Sequence, residues 1–533
     1  MTEEKEYNLL DEKWIRVMDT EGSVSSVSLP EAFSKAHEIR SISGDSPPQD
    51  LAVLRLMLAV MYASYPHGDI TSENEAADVW HSLWDKGRFD GTVTDYLSKW
   101  KDRFFLFDPE RPFYQAPIDK GTEYTAAKLD GNLSESNNKG KLFLPVGLKN
   151  KEHMSYADAA RWLLYLNGFD DTSAKPTVRG GAEKLPSSGA GWMGKLGLVY
   201  AEGSTLFETL MLNFVLSSEG RPFPRGRPIW ELDRPRCGER IEISLPESPE
   251  EMLTLQSRRT LLSRDGEGVT GFLLMGGDIV DKENAFTEQM TVWKLDSTTM
   301  QWVPKRHDPS KAMWRDYASL LVSSKSNTED AKYREPGIVM WLSVLSDRDY
   351  LEPGSVTLRV TGVKYADKDF FVEDIIDDGM SVNRRLLSSV GEVWNIRISE
   401  VISKTEECAY AVGDLAKKIV GTGANSGDET LMKATAANAR ADFYYALDQP
   451  FRAWLSGVDP ENDDIEEKMS EWLGILRRRS LSAGKNALRG RGINALVKGT
   501  LDSNPFVAYR MFAGKIRKTT ATANSEGDEN GKQ

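Results

Sequence analysis

Thiols are almost absent from this chain of 533 residues: the two cysteines, Cys237 and Cys408, cannot form a disulfide framework. Neither has a second Cys or a His at zinc-ligand spacing, so no structural zinc is expected. Histidine is also scarce. His37, His67, His81, His153 and His307 include no H-x-x-x-H pair, and no G-x-S-x-G nucleophile elbow occurs. Long apolar runs are missing: the most apolar stretch, Leu51 to Tyr65, is interrupted by Arg55 and is too short to span a bilayer. The opening "MTEEKEYNLL" has neither the basic flank nor the apolar segment of a signal peptide. These absences predict a cytoplasmic protein without a membrane span. What is present is a globular balance, 40% hydrophobic and 28% charged residues, in a length that exceeds what one core organises, so two or more domains are expected.

The net charge of −14 argues at first against a polyanionic partner, but phosphate binding depends on local charge rather than on the sum. Two segments run against the average. Between positions 221 and 240, Arg221, Arg225, Arg227, Arg234, Arg236 and Arg240 face only Glu231, Asp233 and Glu239. From Arg477 to Lys518 the only acid is Asp502. A solvated basic surface is the plain reading of both.

The pattern divides the chain. "KWIRVMDTEGSVSSVSL" reads as a hairpin around Asp19 to Gly22. Helices are predicted from about Leu51 to Tyr65, Glu75 to Trp84 and Tyr156 to Asn167, with "FFLFDPERPFYQ" a turn segment broken by Pro109 and Pro112. Residues 168–195, rich in Gly, Ser, Pro and Thr, read as one long loop, a kind usually functional or disordered. Val356 to Tyr365 alternates as a half-buried strand; a polar tip, Ala366 to Asp369, and then Phe370-Phe371-Val372 complete a hairpin. After about Gly379 the spacing turns helical, from Val390 to Ile419 and then roughly over 428–447, 462–479 and 496–517. Turns bearing Gly or Pro are expected between them, which suggests an antiparallel bundle. The final "TTATANSEGDENGKQ" is predicted to be disordered.

Two patterns invite a catalytic reading. Gly189-Ala190-Gly191-Trp192-Met193-Gly194 fits G-x-G-x-x-G, and Gly189 to Lys195 nearly fits the phosphate loop of an NTPase. Both motifs need a strand before and a helix after. Here a proline-bearing polar stretch precedes, "LGLVYAEGS" follows as a strand, and Leu196 stands where Ser or Thr would ligate magnesium. The glycines still permit positive φ and close backbone approach. The acidic group Glu373, Asp374, Asp377 and Asp378 suits either a metal or, more simply, an acidic turn between hairpin and bundle. A nucleotide- or metal-dependent enzyme built on either feature is the alternative class of function.

The order of several motifs carries a more specific message. "YNLLDEKWIRV", "FDPERPFYQ", "GAGWMGKLG…EGSTLFETLMLN", "PIWELD", "LQSRRTLL" and the late hairpin together resemble the large subunit (CasA) of the type I-E CRISPR Cascade complex, over nearly the whole chain to about residue 518. The resemblance implies an N-terminal mixed α/β domain of unusual fold (1–378), an all-α C-terminal four-helix bundle (379–518) and a tail (519–533). It implies a non-catalytic protein without cofactor, beside the 5′ handle of the CRISPR RNA and the other Cascade subunits. Such a subunit reads the short protospacer-adjacent motif (PAM) of double-stranded target DNA, helps open the duplex for R-loop formation, and docks the effector helicase–nuclease. Base pairing then reads sequence while protein reads a short duplex.

Site residues follow from the same resemblance. The loop touching the guide handle and PAM matches at Phe143. The PAM glycine loop has two candidates, Arg179-Gly180-Gly181 and Gly189-Ala190-Gly191; the first is favoured for the contact, and the second as framework anchored by Trp192. The minor-groove finger matches at Lys282 or Asn284. The duplex wedge falls on Lys368-Asp369, where the family carries amides. Arg477, Arg478, Arg479, Lys485, Arg489 and Arg491 would follow a DNA backbone or dock a neighbouring subunit.

Overall fold

The computed structural model describes residues 5–133, 152–172, 189–236, 243–322, 332–421, 428–489 and 504–521. Phe143, Arg179, Gly180, Gly181 and Arg491 lie outside them. The chain forms two compact units, one of residues 1–313, 326–351 and 356–379, the other of 314–325, 352–355 and 380–533. Two short pieces from within the long N-terminal span thus join the C-terminal unit, which a reading along the chain did not anticipate.

The first unit mixes helices with small sheets whose pairings are antiparallel. Its central helix, Pro47–Ser64, is buried on every side from Leu51 to Ala63, which explains why its sequence shows little helical periodicity. Pro47 and Pro48 were expected to precede the helix, but they form its first turn. Prolines suit that position because the first amides have no intrahelical acceptor. Arg55, the interruption in the apolar run, is 2% exposed and makes two 2.8 Å hydrogen bonds to the Glu288 carboxylate. The N-terminal hairpin pairs Ile15–Asp19 with Val24–Val27 around Gly22, whose φ of 88° favours glycine. Helices Glu73–Trp84 and Tyr156–Phe169 extend the predicted segments by a turn or less.

Two sheets position the candidate site. Arg258–Arg264 pairs with Val269–Gly276, which pairs in turn with Thr122–Thr125. Ser355–Tyr365 lies between Val372–Asn383 and Leu198–Glu202, with Thr361 opposite Leu198 and Thr357 opposite Glu202. The glycine segment therefore leads directly into a strand laid against the late hairpin, although some 160 residues separate them in sequence.

The C-terminal unit is helical: Glu392–Gly421 packs against each of Glu429–Ser456, Ile465–Leu488 and Pro505–Thr519. Asp428, Asp464 and Asn504 cap the last three through side-chain oxygens. The helix predicted to stop near 447 continues through Pro450. Beyond the proline, Phe451, Trp454 and Leu455 are buried. Phe451 stacks on Trp314 with centroids 4.3 Å apart and meets Trp472 edge-on at 4.9 Å. Burying three such side chains contributes about 2 kcal/mol each, more than the roughly 3 kcal/mol a helical proline costs. The last helix runs to Thr519, and Thr520, assigned to a disordered tail from sequence, is 2% exposed.

Candidate nucleic-acid interface

The glycine segment is held from inside. The Gly191 amide donates to the Asp170 carbonyl at 2.9 Å, and a Cβ on Gly191 would stand 2.4 Å from the Gly168 carbonyl oxygen. A Cβ on Gly194 would lie 2.0 Å from the Tyr365 hydroxyl. The Trp192 backbone N–H donates to the Ser257 hydroxyl at 2.9 Å, and its indole N–H to Glu288 at 2.8 Å. Gly191 is thus withdrawn from the list of surface glycines: the close approach it permits is to the protein's own backbone. Gly189, at φ 66°, remains at the segment's mouth. Only a single 3-10 turn, Met193–Lys195, follows before the strand, so the helix that a phosphate loop needs after its glycines is replaced by a strand and the phosphate-loop reading loses its physical basis.

Arg258 organises the entrance. It is fully buried, and its Nε donates to Asp170 at 2.5 Å. Its Nη2 donates to the carbonyls of Asp171 and Gly189, each at 2.8 Å. Lys128, also buried, lies 3.5 Å from Asp170 and 3.1 Å from Asp171. One guanidinium therefore grips the chain both before and after residues 173–188, the span that carries Arg179-Gly180-Gly181. The motif "LQSRRTLL" signalled family membership, but nothing in its spacing assigned Arg258 this role.

The late hairpin forms as the alternation predicts, with a tip at Asp367–Asp369. Lys368 and Asp369 adopt φ of 58° and 57°, a left-handed pair that costs non-glycine residues energy and needs support from neighbours. The support is visible: the Thr172 hydroxyl donates to the Lys368 carbonyl at 2.6 Å, and the Thr172 amide to the Asp369 carbonyl at 3.0 Å. Arg306 makes two hydrogen bonds to the Asp369 carboxylate, at 2.8 and 3.0 Å. The acid at the hairpin tip is therefore neutralised within the protein. Lys368 is exposed, and Phe370 and Phe371, placed in the hairpin by the sequence but given no site role there, are 46% and 43% exposed.

Lys282 is exposed nearby and acts electrostatically on Lys195, as do Arg258 and Arg306. Burial, reinforced by these three cations, lowers the Lys195 amine to about 8. Asn284 is committed locally. Its Oδ1 accepts from the Trp302 amide at 2.9 Å and its own N–H donates to the Trp302 carbonyl at 2.8 Å, which makes it a turn former. The fold thus brings Gly189, Lys195, Lys282, Arg306 and the hairpin tip onto one face, from four separate stretches of an acidic chain.

The acidic group is not a turn. Glu373, Asp374, Asp377 and Asp378 lie within the strand Val372–Asn383, where alternation sends neighbouring side chains to opposite faces. Glu373 pairs with Lys364 at 2.9 Å and Asp377 with Arg359 at 2.6 Å, while Asp378 accepts from the Met313 amide at 2.7 Å. Among the described residues, no three His, Cys, Asp or Glu side chains are gathered as a metal site requires.

In the C-terminal unit, Arg477 is used internally: Nε donates to the Thr520 hydroxyl and a terminal nitrogen to the Thr520 carbonyl, both at 2.9 Å. Arg478, Arg479, Lys485 and Arg489 are exposed. Lys485 and Arg489 sit at the C-terminal end of the helix Ile465–Leu488, where the helix dipole favours cations. No described helix is long and apolar enough to cross a membrane.

Comparison with known proteins agrees with this architecture. Residues 8–483 match the family model for the CRISPR-associated protein Cse1. A CRISPR-associated protein CasA/Cse1 of Thermus thermophilus is 28% identical over 510 residues, spanning 92% of this chain and 94% of that protein. The crystal structure of Thermobifida fusca Cse1 superposes with a TM-score of 0.83 at 25% identity, covering 96% of this chain and 98% of that one. A chain of a CRISPR RNA-guided surveillance complex shares the fold with a TM-score of 0.69 at 17% identity, covering 97% of this chain and 100% of that chain.

Proposed function

The chain belongs to the CRISPR-associated Cse1 family, the large subunits (CasA) of type I-E Cascade, and from that premise we propose that it is the non-catalytic subunit that reads the PAM of target DNA. The observation that carries the reading is the shared face of Gly189, Lys195, Lys282 and the hairpin tip, cationic in a protein of net charge −14. Local cationic charge of this kind contacts backbone phosphates, while a protruding tip with exposed aromatics wedges and unstacks a base step. Arg179-Gly180-Gly181 supplies the bare backbone toward the minor groove, with both ends of its span fixed by Arg258.

In this reading Lys368, Phe370 and Phe371 enter the duplex, while Arg306 keeps Asp369 from repelling it. Phe143 meets the 5′ handle of the CRISPR RNA. Arg478, Arg479, Lys485 and Arg489 follow a DNA strand or dock another Cascade subunit, and the assembled, opened duplex recruits the effector helicase–nuclease. The protein works in the cytoplasm.

The test is the double substitution Lys368→Ala with Asp369→Ala in the assembled guide complex. Strand separation, read by 2-aminopurine fluorescence in the first target base pairs, is expected to slow about tenfold or more, while assembly with the guide complex is retained. Unchanged strand separation removes the wedge assignment. Tight, magnesium-dependent binding of ATP or NAD by the chain would overturn the non-catalytic reading.

A further inference from the structure

The ammonium groups of Lys195 and Lys282 form no hydrogen bond or ion pair with a described residue. The two arginines beside them do: Arg258 is met by Asp170 and Arg306 by Asp369. Lys195 is half-buried, its stem laid along the glycine segment, so that a Cβ on Gly189 would be 3.5 Å from Lys195 Cε. Arg258, Lys282 and Arg306 all repel its charge, and Glu283 is the carboxylate that acts on it from a distance. A half-buried ammonium among like charges is electrostatically unsatisfied, and an anion placed between it and Lys282 relieves both. A phosphodiester fits: it carries one charge over two oxygens, one for each ammonium, and a groove backbone passes where Gly189 leaves room.

We propose that Lys195 and Lys282 clasp one backbone phosphate of duplex DNA at the mouth of the glycine segment, and that binding there is coupled to the charge of Lys195. The proposal rests on the reading of this face as the duplex-binding surface. Its consequence is a pH dependence with a definite sign. In the free protein the Lys195 amine, held down to about 8, is charged at pH 7 and mostly neutral at pH 9. A clasped phosphate returns it toward the ordinary lysine value of about 10.4, so above pH 8 binding takes up a proton. Affinity therefore falls by about 10-fold between pH 7 and pH 9. The charged groups facing the amine are Arg258 from the strand, Lys282 and Glu283 from the segment after it, and Arg306 near the hairpin tip.

The experiment uses the guide complex assembled with this chain and a fluorescein-labelled target duplex with a randomised flank next to the guide-matched sequence. Binding is measured at pH 7 and pH 9 at several salt concentrations. The wild type is expected to weaken about 10-fold with pH. Lys195→Arg keeps the charge and is expected to bind alike at both pH values. Lys195→Met is expected to bind weakly at both, with the salt slope reduced by about one. Lys195→Met binding like wild type, or Lys195→Arg retaining the wild-type pH slope, overturns the proposal. Should Lys195→Met fail to fold, the pH slope of Lys195→Arg decides alone. A complex whose duplex binding does not depend on this chain at all sinks the underlying reading, whereas binding that depends on the chain but not on Lys195 sinks only the clasp.

Discussion

Arg258 is the side chain on which the geometry of the interface depends, and its removal has a calculable cost. Arg258→Met preserves volume but deletes the buried ion pair to Asp170 and the donors to the carbonyls of Ser257, Asp170, Asp171 and Gly189. Breaking one partner of a buried pair costs about 3–5 kcal/mol. Lys128 still attends Asp170 and Asp171, which holds that part near the lower limit. Each buried carbonyl left without a donor adds about 1–3 kcal/mol, and Gly189, nearest the surface, can turn to water. The sum is about 5 kcal/mol, or a fall in melting temperature of about 5 °C for a unit of this size. Arg258→Lys keeps a charge for Asp170 but cannot span to carbonyls on both sides, so about 2 kcal/mol is expected. Calorimetry on the full chain reads the first number. Hydrogen exchange at the Gly191 amide, bonded to the Asp170 carbonyl, reads the second effect: protection should drop in Arg258→Lys even where the melt barely moves. A melt of Arg258→Met within about 1 kcal/mol of wild type, or unchanged Gly191 protection in Arg258→Lys, would refute the clamp.

Two further outcomes are open to simple assays. Gly191→Ala places a methyl 2.4 Å from the Gly168 carbonyl oxygen, and the backbone shift it forces is expected to cost about 2–3 kcal/mol. Gly189→Ala meets nothing closer than 3.5 Å and should cost about 1 kcal/mol, from its left-handed φ alone; equal melts for the two variants would contradict the packing argument. Asp50 provides a pH test. Burial raises its carboxyl to about 7, opposed by the Gly44 amide hydrogen bond and Arg161. The folded state therefore binds the proton more tightly than the unfolded chain. The stability this gives is full below about pH 4 and is lost as pH rises through 7. Asp50→Asn should flatten that slope in urea midpoints measured at pH 4.5 and 7.5, and a variant with the wild-type slope would show that Asp50 does not cause it.

Local pattern exposed the elements better than their ends. The helix through Leu51 was found without amphipathic periodicity because its length and apolarity leave few alternatives, but its prolines were placed outside it. The helix through Pro450 was cut short for the complementary reason. A proline is a strong local signal, and the aromatic packing of Phe451 and Trp454 that overrides it comes from residues elsewhere in the chain. The acidic group was assigned to a turn because four carboxylates in six residues look solvated. Lys364 and Arg359 on the neighbouring strand allow them to lie in a sheet instead, and no local rule names those partners.

By itself, the sequence determined the helical character of its last quarter, the late hairpin and its tip, and the family to which it belongs. These depend on composition, period and motif order, all of which are local or one-dimensional. The tertiary structure alone decided which charges remain available. It spent Arg477 on Thr520, Arg306 on Asp369 and Arg258 on both flanks of residues 173–188, and it turned Gly191 inward, while the ammonium groups of Lys195 and Lys282 meet no partner among the described residues. Electrostatic pairing is a property of distance in three dimensions, and the partners here come from stretches more than forty, sixty and eighty residues apart.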